Sequence, residues 1–466
     1  MNDEYDFLVI GGGSAGYAAA SVAQKLGLTT AVVEGGEQVG GLCILRGCMP
    51  SKALLESGYR AADIRRAAEF GIRATYEGVD ASAIRDRKRR LIGEFANYRR
   101  EQLEDGRFTF IRGKAQFEND HEVLVKLLEG GERRLRAKSF LIATGSVVNC
   151  PPMNGLEEVG FINSDDVLDS DTIPKSIIVL GGGAIALELA SYYAGVGSKV
   201  TIIQRSAHVL KEMDTDVSDA VADGLEAHGI RVHRDTKITQ VSGEKGHKRI
   251  EFLEKGQPQS VEAEEILCAL GRRPNLDHLG LDKAGVVTGK NSWVSTSQQT
   301  SVPHIFAAGD VCGPHEIVHL AVQQGEFAAR NAARLQGKLS GELETMDYAL
   351  KLFAVFSHPK VAAVGLMEHE AELLRYDFLT AKYLFADHGK ALIRGEPHGF
   401  VKLIVAKDTR RILGAAVVGP EASEFIHEIA VAMYFGATAG DLMRVPHYHP
   451  TLSEIWTYPA EELAES

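Results

Sequence analysis

The stretches YDFLVIGGGSAG (5–16) and SIIVLGGGAIA (176–186) repeat one pattern: an apolar run of strand length, three glycines, then a segment of helical composition. Each is followed by a second apolar run, TTAVVE ending at Glu34 and KVTIIQ ending at Gln204. Strand, glycine turn, helix and strand together form the unit that cradles a dinucleotide, and this context gives the glycines a meaning that a lone glycine pattern lacks. In the first copy Gly11 makes the tight turn, Gly13 lets backbone approach a pyrophosphate, and Gly16 lets helix and strand pack closely. The helix N-terminus then draws the phosphate charge. A duplication at this long range predicts two nucleotide-binding domains rather than a solenoid.

The copies differ at their ends. Glu34 stands roughly twenty residues past the first cradle, where a carboxylate accepts hydrogen bonds from a ribose diol. The second copy reads Gly181, Gly183, Ala186, with Gln204 at the equivalent place and Arg205 next to it. A carboxylate there repels a 2′-phosphate and an arginine accommodates it, so the second site leans toward NADPH or mixed use. Alternatively, Arg205 is solvated and Gln204 bonds the ribose of NADH. Two sites in one chain suggest a flavin that stays bound and a nicotinamide cofactor that comes and goes.

Between the copies PPMNG (151–155) marks a linker, and from about residue 346 short strands alternate with helical runs near the end. The expected organisation is therefore α/β. A discontinuous first nucleotide-binding domain (1–150 and 271–345) and a second nucleotide-binding domain (151–270) precede an α+β domain with an antiparallel sheet (346–466). EEILCALGRRPN and TSVPHIFAAGDV read as strands that return the chain to the first domain. The basic run RDRKRR lies in a helical segment (80–105) of a chain with net charge −12. It reads as a solvated helix face, and no nucleic-acid partner is expected. No apolar run reaches membrane-span length. The acidic start MNDEYDFLVIGGG does not read as a signal peptide, so the expected location is the cytoplasm.

Five cysteines cannot form a disulfide framework in 466 residues, yet two of them share GLCILRGCMPSK (41–52). Cys43-x4-Cys48 lacks the second ligand pair that zinc needs, so no metal site is expected. A thiolate is the reactive form and is favoured by nearby positive charge or a helix N-terminus. Lys52 is close, and Pro50-Ser51 reads as the start of a helix. Cys150, Cys268 and Cys312 have no such neighbours, and Cys268 within ILCAL reads as a small buried hydrophobe. Near the C-terminus HYHPTLSE offers His449 for proton transfer with Glu454 holding its ring. Thr451-x-x-Glu454 reads equally as a helix capping box. Glu188, by itself, reads as an ordinary helix carboxylate.

Taken in order, GGGSAG with Glu34, GGLCILRGCMPSK, IRGKAQF, IATGS, GGGAIALE, LGRRPN, TSVPHIFAAGD, HPKVAAVG and HYHPTLSE span essentially the whole chain. This series resembles the pyridine nucleotide–disulfide oxidoreductases, and among them the dihydrolipoamide dehydrogenases. The resemblance implies FAD in the first cradle, lined by Gly11, Gly13, Ser14, Ala15, Gly16, Glu34, Gly41, Lys52, Gly113, Ala115, Ala143, Thr144, Gly145 and Asp310. It implies NAD(P) in the second, at Gly181, Gly183, Ala184, Ile185, Glu188, Gln204, Arg205 and Gly271. Cys43 would meet the substrate and Cys48 the flavin, Lys52 would pair with Glu188, and His449 with Glu454 would move the proton. A cis His449–Pro450 bond is implied as well, as is a homodimer whose sites are each completed by the other subunit. The implied reaction passes two electrons between dihydrolipoamide, free or on a lipoyl-bearing protein, and NAD(P). The alternatives are an NADPH-dependent reductase of another disulfide, such as glutathione disulfide, and a nucleotide-sensing flavoprotein subunit. Leu42, Leu45 and Arg46 depart from the family pattern around the thiols.

Overall fold

The computed structural model describes residues 3–289 and 292–465. It divides into two compact units, Met1–Pro50 with Asp86–Val148 and Arg272–Asp347, and Ser51–Arg85 with Asn149–Gly271 and Tyr348–Ser466. In the first unit the strand Glu4–Ile10 lies parallel to Thr30–Glu34 on one side and to Glu132–Ile142 on the other. Phe7, Leu8 and Val9 are fully buried, as an apolar run must be in a parallel strand covered on both faces. Thr109–Asn119 and Ile305–Ala307 extend the sheet in parallel, and Glu122–Leu127 joins it as an antiparallel strand. The helix Ser14–Lys25 buries Ala15, Ala19, Ala20 and Ala23. These small side chains share a core with Ala328, Ala329 and Ala332 of the helix Val318–Leu335.

The second unit holds a five-stranded parallel sheet in the order Arg231–His233, Lys199–Ile203, Ser176–Leu180, Glu265–Cys268, Ile162–Asn163. The strand in EEILC therefore stays in this sheet, paired with Ser176–Leu180. The expected return to the first domain begins only after Gly271, where Arg272–Pro274 pairs antiparallel with Ser146–Val148. A second, antiparallel sheet of five strands follows, in the order Leu352–Val355, Lys360–Gly365, Ile412–Gly419, Phe400–Ala406, Phe378–Leu384. The helices Ala422–Tyr434 and Thr457–Glu465 pack on it through a core containing Phe425, Ile426, Ile429, Trp456 and Leu463. The architecture is thus two dinucleotide-binding sheets of Rossmann type and a separate C-terminal α+β domain.

Two local features carry charge through this frame. Lys402, on a central strand, is fully buried and sits 2.7 Å from Asp214, 2.9 Å from Asp216 and 2.6 Å from Glu368. A buried ammonium costs several kcal/mol unless paired, and here three carboxylates surround it. The basic run falls in the helix Ala81–Glu104, where Lys88 is buried, Arg85 bonds Asp171 at 2.9 Å and Arg90 bonds Glu94 at 3.2 Å.

Candidate active site

The first cradle is closed by backbone against backbone. Gly11 N–H donates to Val33 O (2.8 Å) at the strand end. Its φ is +111°, and a Cβ there would lie 2.3 Å from Ala143 O. A Cβ on Gly16 would lie 1.9 Å from Gly11 O, and one on Gly41 would lie 2.5 Å from Gly13 Cα. Gly41 opens the short helix Gly41–Leu45 that carries Cys43, so the thiol segment is seated directly on the glycine turn. Glu34 accepts the Gly12 N–H at Oε2 (2.8 Å) and the Gly36 N–H at Oε1 (2.7 Å), which fixes its carboxylate beside the turn.

Around this cradle, Thr144 Oγ1 donates to Asn275 O (2.7 Å), and Asn275 N–H donates to Gly145 O (2.9 Å). Asp310 accepts the Ser146 hydroxyl at 2.7 Å, and Arg272 Nε donates to that hydroxyl at 2.8 Å. Gln324 accepts the Gly309 N–H (2.7 Å) in the core and braces the turn before Asp310. Gln324 went unremarked in the sequence, and Ser146, Arg272 and Asn275 stood there only within the motifs IATGS and LGRRPN, because their partners are not neighbours along the chain. Gly113 O lies 3.1 Å from where a Cβ on Gly35 would stand, next to the cradle. Ala115, two residues on, turns into the core with Ala31, Val33 and Phe117 and is not brought to that surface.

The cysteines occupy consecutive helical pieces. Cys43 lies in Gly41–Leu45 and Cys48 is the first residue of the helix Cys48–Arg66, which starts two residues before the expected Pro50. Proline is tolerated within a first helical turn because its missing N–H has no partner there. A helix N-terminus favours negative charge on the Cys48 sulfur. A Cβ on Gly47 would lie 3.2 Å from Cys43 Cα, so glycine allows the chain to fold back from one cysteine to the other. Both cysteines are half-buried.

In the second unit, Gly181 has φ +113° and a Cβ there would lie 2.4 Å from Ala269 O. Nothing stands within 4 Å of a Cβ built on Gly183 or Gly271, so both leave open space. Ala184 and Ile185 begin the helix Ala184–Val196, and Ala186, in place of a third glycine, is fully buried. Gln204 packs over Gly182 and turns its amide back to Ser206 Oγ and His208 O. Arg205 is exposed. Glu188 is only 5 % exposed. It receives Lys52 Nζ at 2.8 and 2.9 Å and the Phe356 N–H at 3.0 Å, with Lys52 Nζ 4.6 Å from the centre of the Phe356 ring. An ordinary helix carboxylate faces water, and Glu188 does not.

His449 Nδ1 lies 3.0 Å from Glu454 Oε2, with the histidine side chain 82 % exposed and the glutamate 12 % exposed. With Nδ1 engaged, Nε2 is the nitrogen presented outward. The His449–Pro450 bond is cis. Thr451 Oγ1 accepts the Glu454 N–H at 3.4 Å, while the Glu454 carboxylate goes to histidine rather than completing a capping box. His447 is turned away, its Nε2 2.5 Å from Glu428.

Residues 5–325 match the family model described as pyridine nucleotide-disulphide oxidoreductase, and residues 353–460 match the dimerisation domain of the same family. The chain belongs to this family. It is 34% identical over 464 residues to a dihydrolipoyl dehydrogenase of Chlamydia muridarum, covering 99% of this chain and 97% of that one. It is 34% identical over 465 residues to a dihydrolipoyl dehydrogenase of Bacillus subtilis, covering 99% and 96%. Among solved structures it is similar to the Cu(II) complex of the HOCl-induced flavoprotein disulfide reductase RclA from Escherichia coli. That match has a TM-score of 0.85 and 25% identity and covers 99% of this chain and 100% of the other.

The protein is accordingly a FAD-dependent dithiol–disulfide oxidoreductase of the dihydrolipoyl dehydrogenase type, homodimeric and acting on a small dithiol or disulfide. Family membership implies FAD and an NAD(P)-binding domain. The residues present fit both groups: at each glycine turn a side chain would strike backbone, and above Gly183 the space stays open. Among the described residues no helix is long and apolar enough to cross a membrane.

One expectation about the other cysteines is overturned. Cys150 and Cys268 are joined by a disulfide across 118 residues of sequence, with Cα atoms 6.3 Å apart. Asn149 N–H donates to Gly271 O (3.0 Å), and this contact draws the two segments together. Cys268 is indeed buried, but as half of a bridge, and no local spacing could have revealed its partner. Cys312 is a buried thiol whose S–H donates to Gly309 O (3.4 Å), and burial pushes it up to about 12.

Proposed function

We propose that this protein oxidises dihydrolipoamide, carried on a lipoyl-bearing protein, with NAD(P)⁺ as the final acceptor. The observation that carries the reading is the seating of the Cys43 helix on the glycine turn of the first cradle, where Gly41 abuts Gly13, with Cys48 opening the next helix. Gly11, Gly13, Gly16 and Glu34 would hold FAD there, with Asp310 near it. When bound, FAD supplies the two-electron relay between a dithiol and a nicotinamide. Cys43 and Cys48, as a disulfide, take two electrons from the substrate dithiol, which leaves as its own disulfide, and the two cysteines become thiols. His449 Nε2 takes the proton that the attacking substrate thiol must lose, and Glu454 on Nδ1 stabilises the resulting imidazolium. The exposure of the His449 ring supports a site completed by a second subunit, since a base facing outward serves chemistry outside its own chain. Lys52 and Glu188 neutralise each other and fix one another's position. Traffic with a nicotinamide cofactor supports a cytoplasmic location.

A second reading rests on Arg205. An exposed arginine beside a non-acidic Gln204 suits a 2′-phosphate, which favours an NADPH-dependent reductase of another disulfide. One substrate panel separates the two: dihydrolipoamide with NAD⁺ and NADP⁺, against glutathione disulfide with NADPH and NADH. Dihydrolipoamide turnover is expected, and turnover of glutathione disulfide alone would reject the lipoyl reading. In the same assays Cys43→Ser is expected to lower disulfide turnover by about a thousandfold or more, as loss of a covalent nucleophile does. Full activity of that variant would reject Cys43 as the thiol that meets the substrate.

A further inference from the structure

His388 precedes the short helix Gly389–Ile393 and is only 1 % exposed. Its backbone N–H bonds Phe385 O at 3.1 Å, and its ring meets the rings of Phe385 and Tyr458 nearly edge-on, each with centroids 6.4 Å apart. Among the described residues neither ring nitrogen makes a hydrogen bond of ordinary length. Nε2, however, lies 3.5 Å from Glu454 Oε1, while Oε2 of the same carboxylate lies 3.0 Å from His449 Nδ1. The two oxygens of Glu454 are thus divided between two histidines, one buried and one outward-facing.

An imidazole in this place calls for a physical reason. A buried polar group without a partner costs about 1–3 kcal/mol, and an apolar side chain would fill the same space without that cost. Burial pushes His388 below the ordinary imidazole range, against the pull of Glu454 and with His449 adding to the push. It is therefore neutral at working pH and carries a single N–H. Glu454 is the acceptor that Nε2 faces. The end of a glutamate side chain turns over a broad torsional well, so one hydrogen bond does not fix both of its oxygens.

We propose that His388 is a positioning residue for the acid–base pair: its Nε2–H, aimed at Glu454 Oε1, sets the carboxylate's rotation so that Oε2 stays on His449 Nδ1. The proposal rests on the reading of His449 and Glu454 as the proton-transfer pair. The 3.5 Å separation shortens as the carboxylate engages, since catalytic hydrogen bonds commonly tighten only in the working complex. The charged and titratable groups facing this ring are Glu454, His449 and the phenol of Tyr458; Asp387 precedes it in the chain.

The test uses the flavin-loaded protein and dihydrolipoamide. His388→Phe keeps the aromatic packing and removes the donor. It is expected to lower kcat for dithiol oxidation by about tenfold, a fraction of what general acid–base catalysis contributes. The KM for NAD⁺, and NADH oxidation by an artificial electron acceptor that bypasses the pair, should stay unchanged. His388→Gln, which returns an N–H near the Nε2 position, should recover most of the rate. His449→Gln is measured beside them. A crippled His449→Gln next to an unaffected His388→Phe overturns the proposal alone, whereas full turnover in His449→Gln overturns the acid–base reading and the proposal with it. A rate loss that tracks a lower melting temperature and is not rescued by glutamine makes His388 merely structural and rejects the proposal. If His388→Phe does not fold, nitrogen-15 NMR of selectively labelled wild-type protein decides. A neutral Nε2–H tautomer is expected, and a neutral ring protonated on Nδ1 rejects the proposal.

Discussion

At Gly11 and at Gly181 the chain does the same thing. The φ angles are +111° and +113°, and a side chain would strike a carbonyl oxygen at 2.3 Å (Ala143) or 2.4 Å (Ala269). Beyond that turn the two cradles diverge. In the first, Gly16 and Gly41 are forced by backbone on backbone, Glu34 is held by two N–H groups, and the thiol-bearing helix starts at the cradle itself. In the second, Ala186 replaces the third glycine, Gly183 looks onto open space, Gln204 folds back on its own loop and Arg205 points outward. One turn geometry has thus been given two surroundings, one that the chain closes over and one left open. That contrast suits a dinucleotide that stays and a dinucleotide that exchanges.

The sharpest way to break the comparison is to put a methyl into each turn. Gly11→Ala and Gly181→Ala both force a positive φ and a backbone clash, each costing about 1–3 kcal/mol from the backbone conformation alone. Gly11→Ala is expected to purify without flavin absorbance. Gly181→Ala should stay yellow and lose NAD(P)-dependent turnover by about a hundredfold or more, since a displaced turn cannot approach the pyrophosphate. If absorbance and kinetics came out the other way round, the two sites would be exchanged. A smaller effect is expected at Arg205. Removing one charge-assisted hydrogen bond, of about 1.5–3 kcal/mol, should raise the KM for NADPH about tenfold in Arg205→Ala and leave NADH untouched. Equal behaviour toward both cofactors would make Arg205 a solvated bystander.

A further effect concerns acid. The unit with the second cradle holds half-buried His358, which is lowered to about 3, chiefly by loss of solvation and then by the nearby His228, Arg66, Lys360 and His398. His228 is also lowered, chiefly by burial. A histidine whose folded value is depressed leaves stability intact above its unfolded value near 6.5. As pH falls below that, the unfolded chain takes the proton first, and stability drops until pH passes about 3. The loss is about 1.4 kcal/mol for each pH unit in that window. Melting temperature should therefore decline from pH 6.5 toward 4, and His358→Asn should flatten the slope. An unchanged slope in that variant would assign the acid sensitivity to other groups.

Much of this molecule was legible from its residues alone. Strands, glycine turns and the helices after them are local, so YDFLVIGGGSAG and SIIVLGGGAIA announced both cradles, and Cys43-x4-Cys48 announced the thiols. Local pattern also left choices that only contact could settle. Glu454 stood equally as a helix cap or a histidine partner until its carboxylate was seen 3.0 Å from His449. Glu188 read as an ordinary surface acid until Lys52 and the Phe356 N–H were found on it.

What the tertiary structure alone decided are pairings between segments far apart in the chain. The Cys150–Cys268 bridge, the brace of Ser146 and Arg272 on Asp310, the three carboxylates around Lys402 and the facing of His388 to Glu454 are all of this kind. Turn and helix preferences act over a few residues and are written in composition. The partner of a buried polar group is set by which strands the sheet order brings side by side, and that information exists only once the chain has folded.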